Sequence, residues 1–367
     1  MSTTKFKVCH LTSAHPYNDT RIFLKQCTSL SKFYSVFLIN TNSPIDLKID
    51  NGINLININY TAKNRLQRFL ISTYKVYKAA KKLNADIYHF HDPELIPYAI
   101  LLRLKRKKVI YDVHESYSAA ILDRNYIPKF LRKFIAIPFN ILEKISSIFF
   151  NFLITATPYI NKEFKYFNKK TQTINNYPIL NELNIENKNC IKENAICFVG
   201  CISKERGFYE MIEATKRTDT TLYIGGELSK EFSTYIKNYN HVNSLGFISR
   251  KEFSDLMNKC IAGFVLYHPC KNHINAQPNK LFEYMSANLP VICSNFPLWK
   301  NIVEKHNCGK CCDPLDIQSI INSIEWIKNN QSNIYKVGNN GRTAVKKIFN
   351  WEIEEKKLVS IYNKLIA

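Results

Sequence analysis

Apolar and polar positions along the first half of this chain alternate between two patterns. Short apolar runs, KFKVCHLTS (5–13), SVFLINT (35–41), INLININY (53–60), ADIYHFHD (85–92), KVIYDVHE (108–115), NFLITATP (151–158) and QTINNYP (172–178), read as buried strands. Between them lie longer stretches of helical spacing: TRIFLKQCTSLSKF (20–33), with Asp19 or Thr20 as its N-cap, the basic NRLQRFLISTYKVYKAAKKLN (64–84), and ELIPYAILLRLKRK (94–107). Strands alternating with helices predict a parallel sheet covered on both faces.

A polar stretch, NELNIENKNCIKEN (181–194), then reads as a linker, and the pattern restarts with AICFVGCI, TLYIGGE, HVNSLGFI, CIAGFVLYH and LPVICSN. The last helix, NWEIEEKKLVSIYNKLIA (350–367), is amphipathic and needs an apolar surface to cover. The expected class is α/β: two doubly wound Rossmann-like domains, residues 1–182 and 183–349, facing across a cleft, with 350–367 as a C-terminal helix.

Charge changes this picture. The formal net charge is +21, of which residues 1–180 carry +16. A lysine-rich composition alone would spread over both halves, so the first half is expected to face an anionic surface or substrate. No helix-turn-helix, zinc finger or RNA-binding signature accompanies the charge, which argues against nucleic acid. Eleven cysteines without regular spacing fit a reducing, cytoplasmic compartment. CGKCC (308–312) lacks a second ligand pair at zinc-site spacing and reads as a short buried strand. The start turns polar before a signal peptide develops, and ISSIFFNFLITATPYI (145–160) is too short and mixed to span a bilayer.

Chemistry concentrates at strand ends, where open parallel sheets bind ligands. AHPYNDTR places His15 and Asp19 after the first strand, YHFHDPE ends another at His91, Asp92 and Glu94, and YDVHE ends a third at His114 and Glu115. His89 and His91 alternate onto one face but have no third metal ligand at a suitable spacing. In the second domain FVGCISKERGF runs strand, turn, helix. Gly200 and Gly207 permit close backbone approach, and Arg206 stands at a helix start suited to phosphate. In HINAQPNKLFEYMSANLPVI, Pro278 suits the first helical turn and Lys280 adds a charge for phosphate. Glu283, three residues on, shares its face and suits ribose hydroxyls. The same two residues also suit a plain surface ion pair. No Asp-x-Asp occurs, so a metal clamp on a diphosphate is not expected, and no cofactor is.

The chain resembles glycosyltransferase family 4, of the two-domain GT-B fold, through TSAHPYNDTRIF, DIYHFHDPELIP, VIYDVHE, ITATPYI, INNYP, FVGCISKERG, PNKLFEYMSANLPVI and NWEIEEKKL. The resemblance implies a retaining enzyme that moves a sugar from a nucleotide-sugar donor to a glycan acceptor, and a last helix crossing back onto the first domain. By position it assigns Arg206 and Lys280 to the diphosphate, Glu283 to the ribose, Gly200 beside the phosphates and His114 near the transferred sugar. Phe247 and Ile248 border the base, Asn275 and Leu281 join the donor set, and His15, Asp19, His91 and Glu115 form the acceptor side. Two positions depart from the family pattern. Asn275 stands where Glu-x7-Glu has its first acid, and Cys201 where an arginine often follows the phosphate-turn glycine. Weaker diphosphate binding, or a compensating basic residue elsewhere, is the expected consequence.

Retention without a placed nucleophile implies front-face substitution, with the protein stabilising the leaving diphosphate. YIPKFLRKFIAIPFNILEKISSIFFNFL (126–153) interleaves basic and large apolar residues as an interfacial helix does. It suggests a lipid-linked acceptor at the inner membrane face, in capsule, O-antigen or exopolysaccharide synthesis. The same positions also suit packing within the first domain. Two rival readings stay open: a nucleotide-sugar epimerase of similar architecture, and an inactive sugar-nucleotide binder.

Overall fold

The structure is a computed structural model that describes residues 5–41, 52–124, 127–180, 182–183 and 192–366. It divides into two compact units, Met1–Asn176 with Glu352–Ala367, and Tyr177–Trp351. The division falls ahead of the 182/183 boundary read from sequence. Most of the stretch read as a linker, residues 181 and 184–191, lies outside the described residues.

The first unit holds β1 (Lys7–Leu11), β2 (Ser35–Asn40), β3 (Ile53–Asn57), β4 (Ile87–Phe90), β5 (Lys108–Val113), β6 (Phe152–Thr155) and β7 (Thr171–Thr173). They form one parallel sheet in the order β3-β2-β1-β4-β5-β6-β7. Val8, Cys9, Val36, Leu38, Ile110 and Tyr111 are fully buried, as strands covered on both faces require. The chain winds outward from β1 to β3, then returns to place β4 on the other side of β1. That reversal opens a crevice at the carboxyl ends of β1 and β4.

The helix after β1 departs from expectation. It starts with wide π-type turns over Thr20–Cys27 and continues as an α-helix over Thr28–Ser31, short of Phe33. Asp19 caps it: its Oδ1 accepts from the N–H groups of Arg21 at 2.9 Å and Ile22 at 2.8 Å. The N–H of Leu24 reaches back five residues to the Asp19 carbonyl at 3.2 Å. Such turns concentrate at functional sites.

The C-terminal helix, Trp351–Ile366, covers the first unit with the buried Leu358, Ile361 and Tyr362. Glu354 accepts from the backbone N–H of Asn175 at 3.0 Å and from its side-chain amide at 3.2 Å. Tyr34 donates to Asn363 Oδ1 at 2.6 Å. These polar contacts help fix the register of the helix on the first unit.

The second unit holds β8 (Ala195–Val199), β9 (Thr221–Gly225), β10 (Val242–Gly246), β11 (Ala262–Val265), β12 (Val291–Ser294) and β13 (Gly309–Cys312). Its parallel sheet runs β10-β9-β8-β11-β12-β13, with the reversal between β8 and β11. Phe282, Tyr284 and Trp299 fill its core. The CGKCC strand is half-buried at the sheet edge; Cys308 and Cys312 are buried, while Cys311 Sγ lies 3.6 Å from Cys293 Sγ. Among the described residues no helix is long and apolar enough to cross a membrane.

Candidate functional site

In the first unit the carboxyl ends of β1, β4 and β5 converge on a buried network centred on Asp112. Its Oδ2 lies 3.1 Å from His114 Nε2 and 3.3 Å from His91 Nδ1. It accepts from Arg21 Nε at 2.9 Å and Gln26 Nε2 at 2.8 Å, while Oδ1 accepts from Arg21 Nη2 at 2.7 Å. Burial would raise this carboxyl, but Arg21 and His114 hold it well below the usual range. Asp112 is therefore a permanent anion. His114, whose side chain is 13% exposed, is the member of this group that reaches solvent.

Behind it, His91 Nε2 meets His10 Nδ1 at 3.0 Å, and His89 Nδ1 meets Tyr362 Oη at 2.7 Å. Burial lowers all three imidazoles, His91 to about 3 and the other two well below their usual value, so they are neutral. In front, His15 Nδ1 lies 3.3 Å from Asp19 Oδ2, and its Nε2 lies 3.5 Å from Asp92 Oδ1. Burial would lower His15, but the Asp19 hydrogen bond and the Asp92 and Asp19 charges raise it. The His15 and His114 rings are 4.9 Å apart. The fold thus gathers His15, Asp19, His91 and His114. Glu115 is half-buried, with its charge felt at Tyr117 and Glu143.

Spacing offered His89 and His91 no third metal ligand; the fold supplies candidates. The ligand atoms of His10, His89 and His91, and of His91, Asp112 and His114, lie within 4.8 Å of one another in each set. In the second set the carboxylate is already clasped by Arg21. A cation there would face a buried guanidinium, which disfavours it.

In the second unit the candidate residues stand at the carboxyl edge of the sheet, beside the β8–β11 reversal. Gly200 follows β8 in an extended, glycine-favouring conformation, and Arg206 Nη1 donates to the Cys201 carbonyl at 3.3 Å. Arg206 ends a single turn, Lys204–Arg206, and also stacks on the Tyr267 ring at 5.0 Å. The helix proper, Phe208–Arg217, starts after Gly207, which is left-handed and would bring a Cβ to 2.9 Å from Leu266 Cβ.

Pro278 is the N-cap of the Asn279–Ser286 helix and not its first helical residue. Lys280 Nζ lies 2.7 Å from Glu283 Oε2 and 4.0 Å from the centre of the Phe253 ring. Arg250 Nη1 donates to Glu283 Oε1 at 2.8 Å, and its Nη2 lies 2.8 Å from Glu182 Oε1. Burial would raise Glu283, but Lys280 and Arg250 lower it, so it is a carboxylate gripped by two cations. The pair is therefore buried at its acidic end, unlike a plain surface pair.

Ile248 is half-buried and Phe247 is 87% exposed. Asn275 caps the short Lys271–Ile274 helix, half-buried. Leu281 is fully buried in the core, and its N–H is bonded to the Pro278 carbonyl at 3.1 Å. Its side chain therefore serves packing. Sequence reasoning missed Asp112, Arg21 and Arg250. Asp112 stood in plain sight two residues before His114, in a strand otherwise apolar, whereas the two arginines carried no local signal.

The residues 182–344 match the family model described as glycosyl transferases group 1, and residues 27–176 match that of glycosyltransferase family 4. No curated protein sequence matches the chain. Among solved structures it is similar to sucrose-phosphate synthase (tll1590) from Thermosynechococcus elongatus, with a TM-score of 0.81, 16% identity and 99% of each chain covered. It is similar to Anabaena Alr3699/HepE in complex with UDP and glucose, with a TM-score of 0.74, 14% identity, and 98% of this chain and 99% of that one covered. WaaG, a glycosyltransferase involved in lipopolysaccharide biosynthesis, gives a TM-score of 0.70 at 15% identity, over 97% and 99% of the two chains. At these identities the likeness is one of fold. With its two parts matching these two models in turn, and the GT-B fold shared with these enzymes, the chain belongs to the glycosyltransferases of the family 4 and group 1 type.

Proposed function

We propose that the protein is a retaining glycosyltransferase that moves a sugar from a nucleotide-sugar to a glycan acceptor in surface polysaccharide synthesis. The observation that carries this is the ionised Glu283, held between Lys280 and Arg250 at the carboxyl edge of the second sheet. A fixed carboxylate suits the two hydroxyls of a ribose, and the adjoining ammonium suits a diphosphate. Arg206, with Gly200 close by, adds the second cation. HepE in complex with UDP-glucose supports a nucleotide-sugar donor, and WaaG's part in lipopolysaccharide synthesis supports a glycan acceptor.

In this reading the leaving diphosphate is neutralised by Arg206 and Lys280 without a metal, and its oxygen takes the acceptor proton as the new bond forms on the same face. Phe247 and Ile248 border the base, and Asn275 contacts the donor sugar. His114 turns Nε2 inward to Asp112, so contact with the transferred sugar falls to Nδ1. His15, Asp19 and Glu115 receive the acceptor, whereas His91, expected beside them, is fully buried with both ring nitrogens engaged and supports His114 from behind. The acceptor is lipid-linked, and the enzyme works from the cytoplasm at the inner membrane face; the +16 of residues 1–180 supports this.

A panel of nucleotide-sugars incubated with the purified protein tests the reading, following nucleotide release and nucleotide binding together. Release with a glycan acceptor present is the expected result. Sugar-isomer interconversion without an acceptor would indicate an epimerase, and binding without turnover an inactive binder.

A further inference from the structure

The helix Lys129–Ser147 is inside out. Its buried residues are Ala136, Glu143, Ser146 and Ser147. Its outward stripe is Phe130, Phe134, Ile137, Ile141 and Ile145, continued by Ile148 just past its end, and all six are exposed; Phe134 is 74% exposed while Glu143 is 2%. A surface helix in water turns its apolar stripe to the core and its polar face out. Here the small and acidic residues face the protein, and a run of phenylalanines and isoleucines faces out.

The neighbouring helices extend the same surface. The helix Lys129–Ser147 packs beside Ile96–Leu104, which packs beside Thr73–Leu83. These helices connect β3 to β4, β4 to β5 and β5 to β6, all crossing the sheet in one direction, so they lie in one layer. Leu66, Leu70 and Leu104 are also exposed, each more than 60%. Residues 63–83, 96–108 and 129–147 hold sixteen lysines and arginines and one acid, the buried Glu143. That layer therefore carries +15 of the chain's +21.

We propose that this helical layer docks the protein on an anionic lipid bilayer, with the Phe130–Ile148 stripe entering the headgroup–acyl boundary and the flanking lysines and arginines meeting lipid phosphates. A bilayer is the occupant that takes both halves of the pattern: apolar side chains gain from leaving water, and basic ones gain from the negative surface potential. A second copy of the chain would set +15 against +15. A nucleic acid would satisfy the charge and leave the isoleucines in water. The inference rests on the transferase reading only for the acceptor it brings within reach. Docking itself needs neither donor nor turnover.

The test is co-sedimentation of the full chain with vesicles of phosphatidylcholine alone or with about 30% phosphatidylserine, at low and high salt, without substrate. Binding to the anionic vesicles, weakened by salt, is expected. The exposed substitutions F134S and I141S together should weaken it at least about tenfold while leaving the melting temperature unchanged. K129E with K133E should weaken it further and reduce the salt dependence without abolishing it. No binding at low salt overturns the proposal. So does unaltered vesicle binding by F134S/I141S, which would reduce the patch to a general polyanion site, as would equal competition by duplex DNA. A dimer in light scattering that F134S/I141S dissolves would assign the face to a second copy instead. Vesicle binding by a protein that turns over no nucleotide-sugar would leave docking standing and the transferase reading in doubt.

Discussion

The guanidinium of Arg21 clasps the carboxylate of Asp112 through two parallel hydrogen bonds, Nε to Oδ2 at 2.9 Å and Nη2 to Oδ1 at 2.7 Å, with both side chains buried. Arg21 spends its remaining amino group on the Ile174 carbonyl at 2.8 Å. One bidentate pair thus ties the start of the first helix to β5 and to the segment after β7, and it fixes the anion on which His114 and His91 lean.

Breaking that pair from one side leaves a buried charge alone. Asp112→Asn is expected to destabilise the first unit by about 3–5 kcal/mol. Asp112→Asn combined with Arg21→Met removes both charges and should recover part of that loss. Urea melts of the parent, the single and the double variant decide this. A single variant as stable as the parent contradicts the assignment.

Arg250, the second cation on Glu283, is our candidate for the basic residue that the Cys201 departure called for. Arg250→Gln is expected to weaken binding of a nucleoside diphosphate about tenfold, with Arg250→Lys recovering part of the affinity. Lys280→Ala and Arg206→Ala should each lower turnover by about 10²–10³, Arg206→Ala with the melting temperature unchanged and Lys280→Ala with some loss of stability, because it leaves the buried Glu283 to Arg250 alone. Calorimetric titration separates the binding effect from the turnover effect. Losses under tenfold in turnover at both Lys280 and Arg206 would remove them from the leaving-group site.

The alternation of short apolar runs and helical stretches was enough to read both parallel sheets, because strands buried on two faces leave an unbroken apolar signature. The candidate site was legible where His15, His91 and His114 follow a strand end, and where Lys280 and Glu283 share one face of a helix three residues apart. Arg21 finds Asp112 across 91 positions and Arg250 finds Glu283 across 33, and no spacing rule announces such partners. The resemblance puts Leu281 in the donor set, but one helical step from Lys280 turns its side chain from the ligand edge into the core. The interleaved bases and apolar residues of 126–153 were visible in sequence. Which face they present was not, because the pattern is amphipathic either way round.

Cys201 is exposed, and its carbonyl accepts from Arg206. An arginine at this position would add a third cation close to Arg206. Cys201→Arg is expected to tighten nucleoside diphosphate binding by roughly three- to tenfold, the scale of one added partly screened charge. The effect should be larger in an Arg250→Gln background, where the compensating charge is gone. An unchanged dissociation constant in both backgrounds would show that Cys201 is remote from the diphosphate.

Glu143 supplies the pH test. It is buried on the helix Lys129–Ser147 and accepts from the Tyr111 hydroxyl at 2.5 Å. Burial pushes it from the usual 4.5 up to about 7, the Tyr111 hydrogen bond and Lys144 working against that rise and Glu163 and Glu115 with it. Between pH 4.5 and 7 the folded chain keeps this proton while the unfolded chain has released it. Stability therefore falls as pH rises through that window, by roughly 3 kcal/mol in all, and stays lower above it. Glu143→Gln keeps the shape and removes the titration. Relative to the parent it should be near neutral at pH 4.5 and stabilising by up to about 3 kcal/mol at pH 8. Thermal melts of the two proteins at both values give the difference directly, in which the titration of the buried histidines cancels. A parent-minus-variant difference that does not change with pH would mean that Glu143 keeps an ordinary carboxyl pKa and that the helix is packed more openly against Tyr111 than the 2.5 Å bond implies.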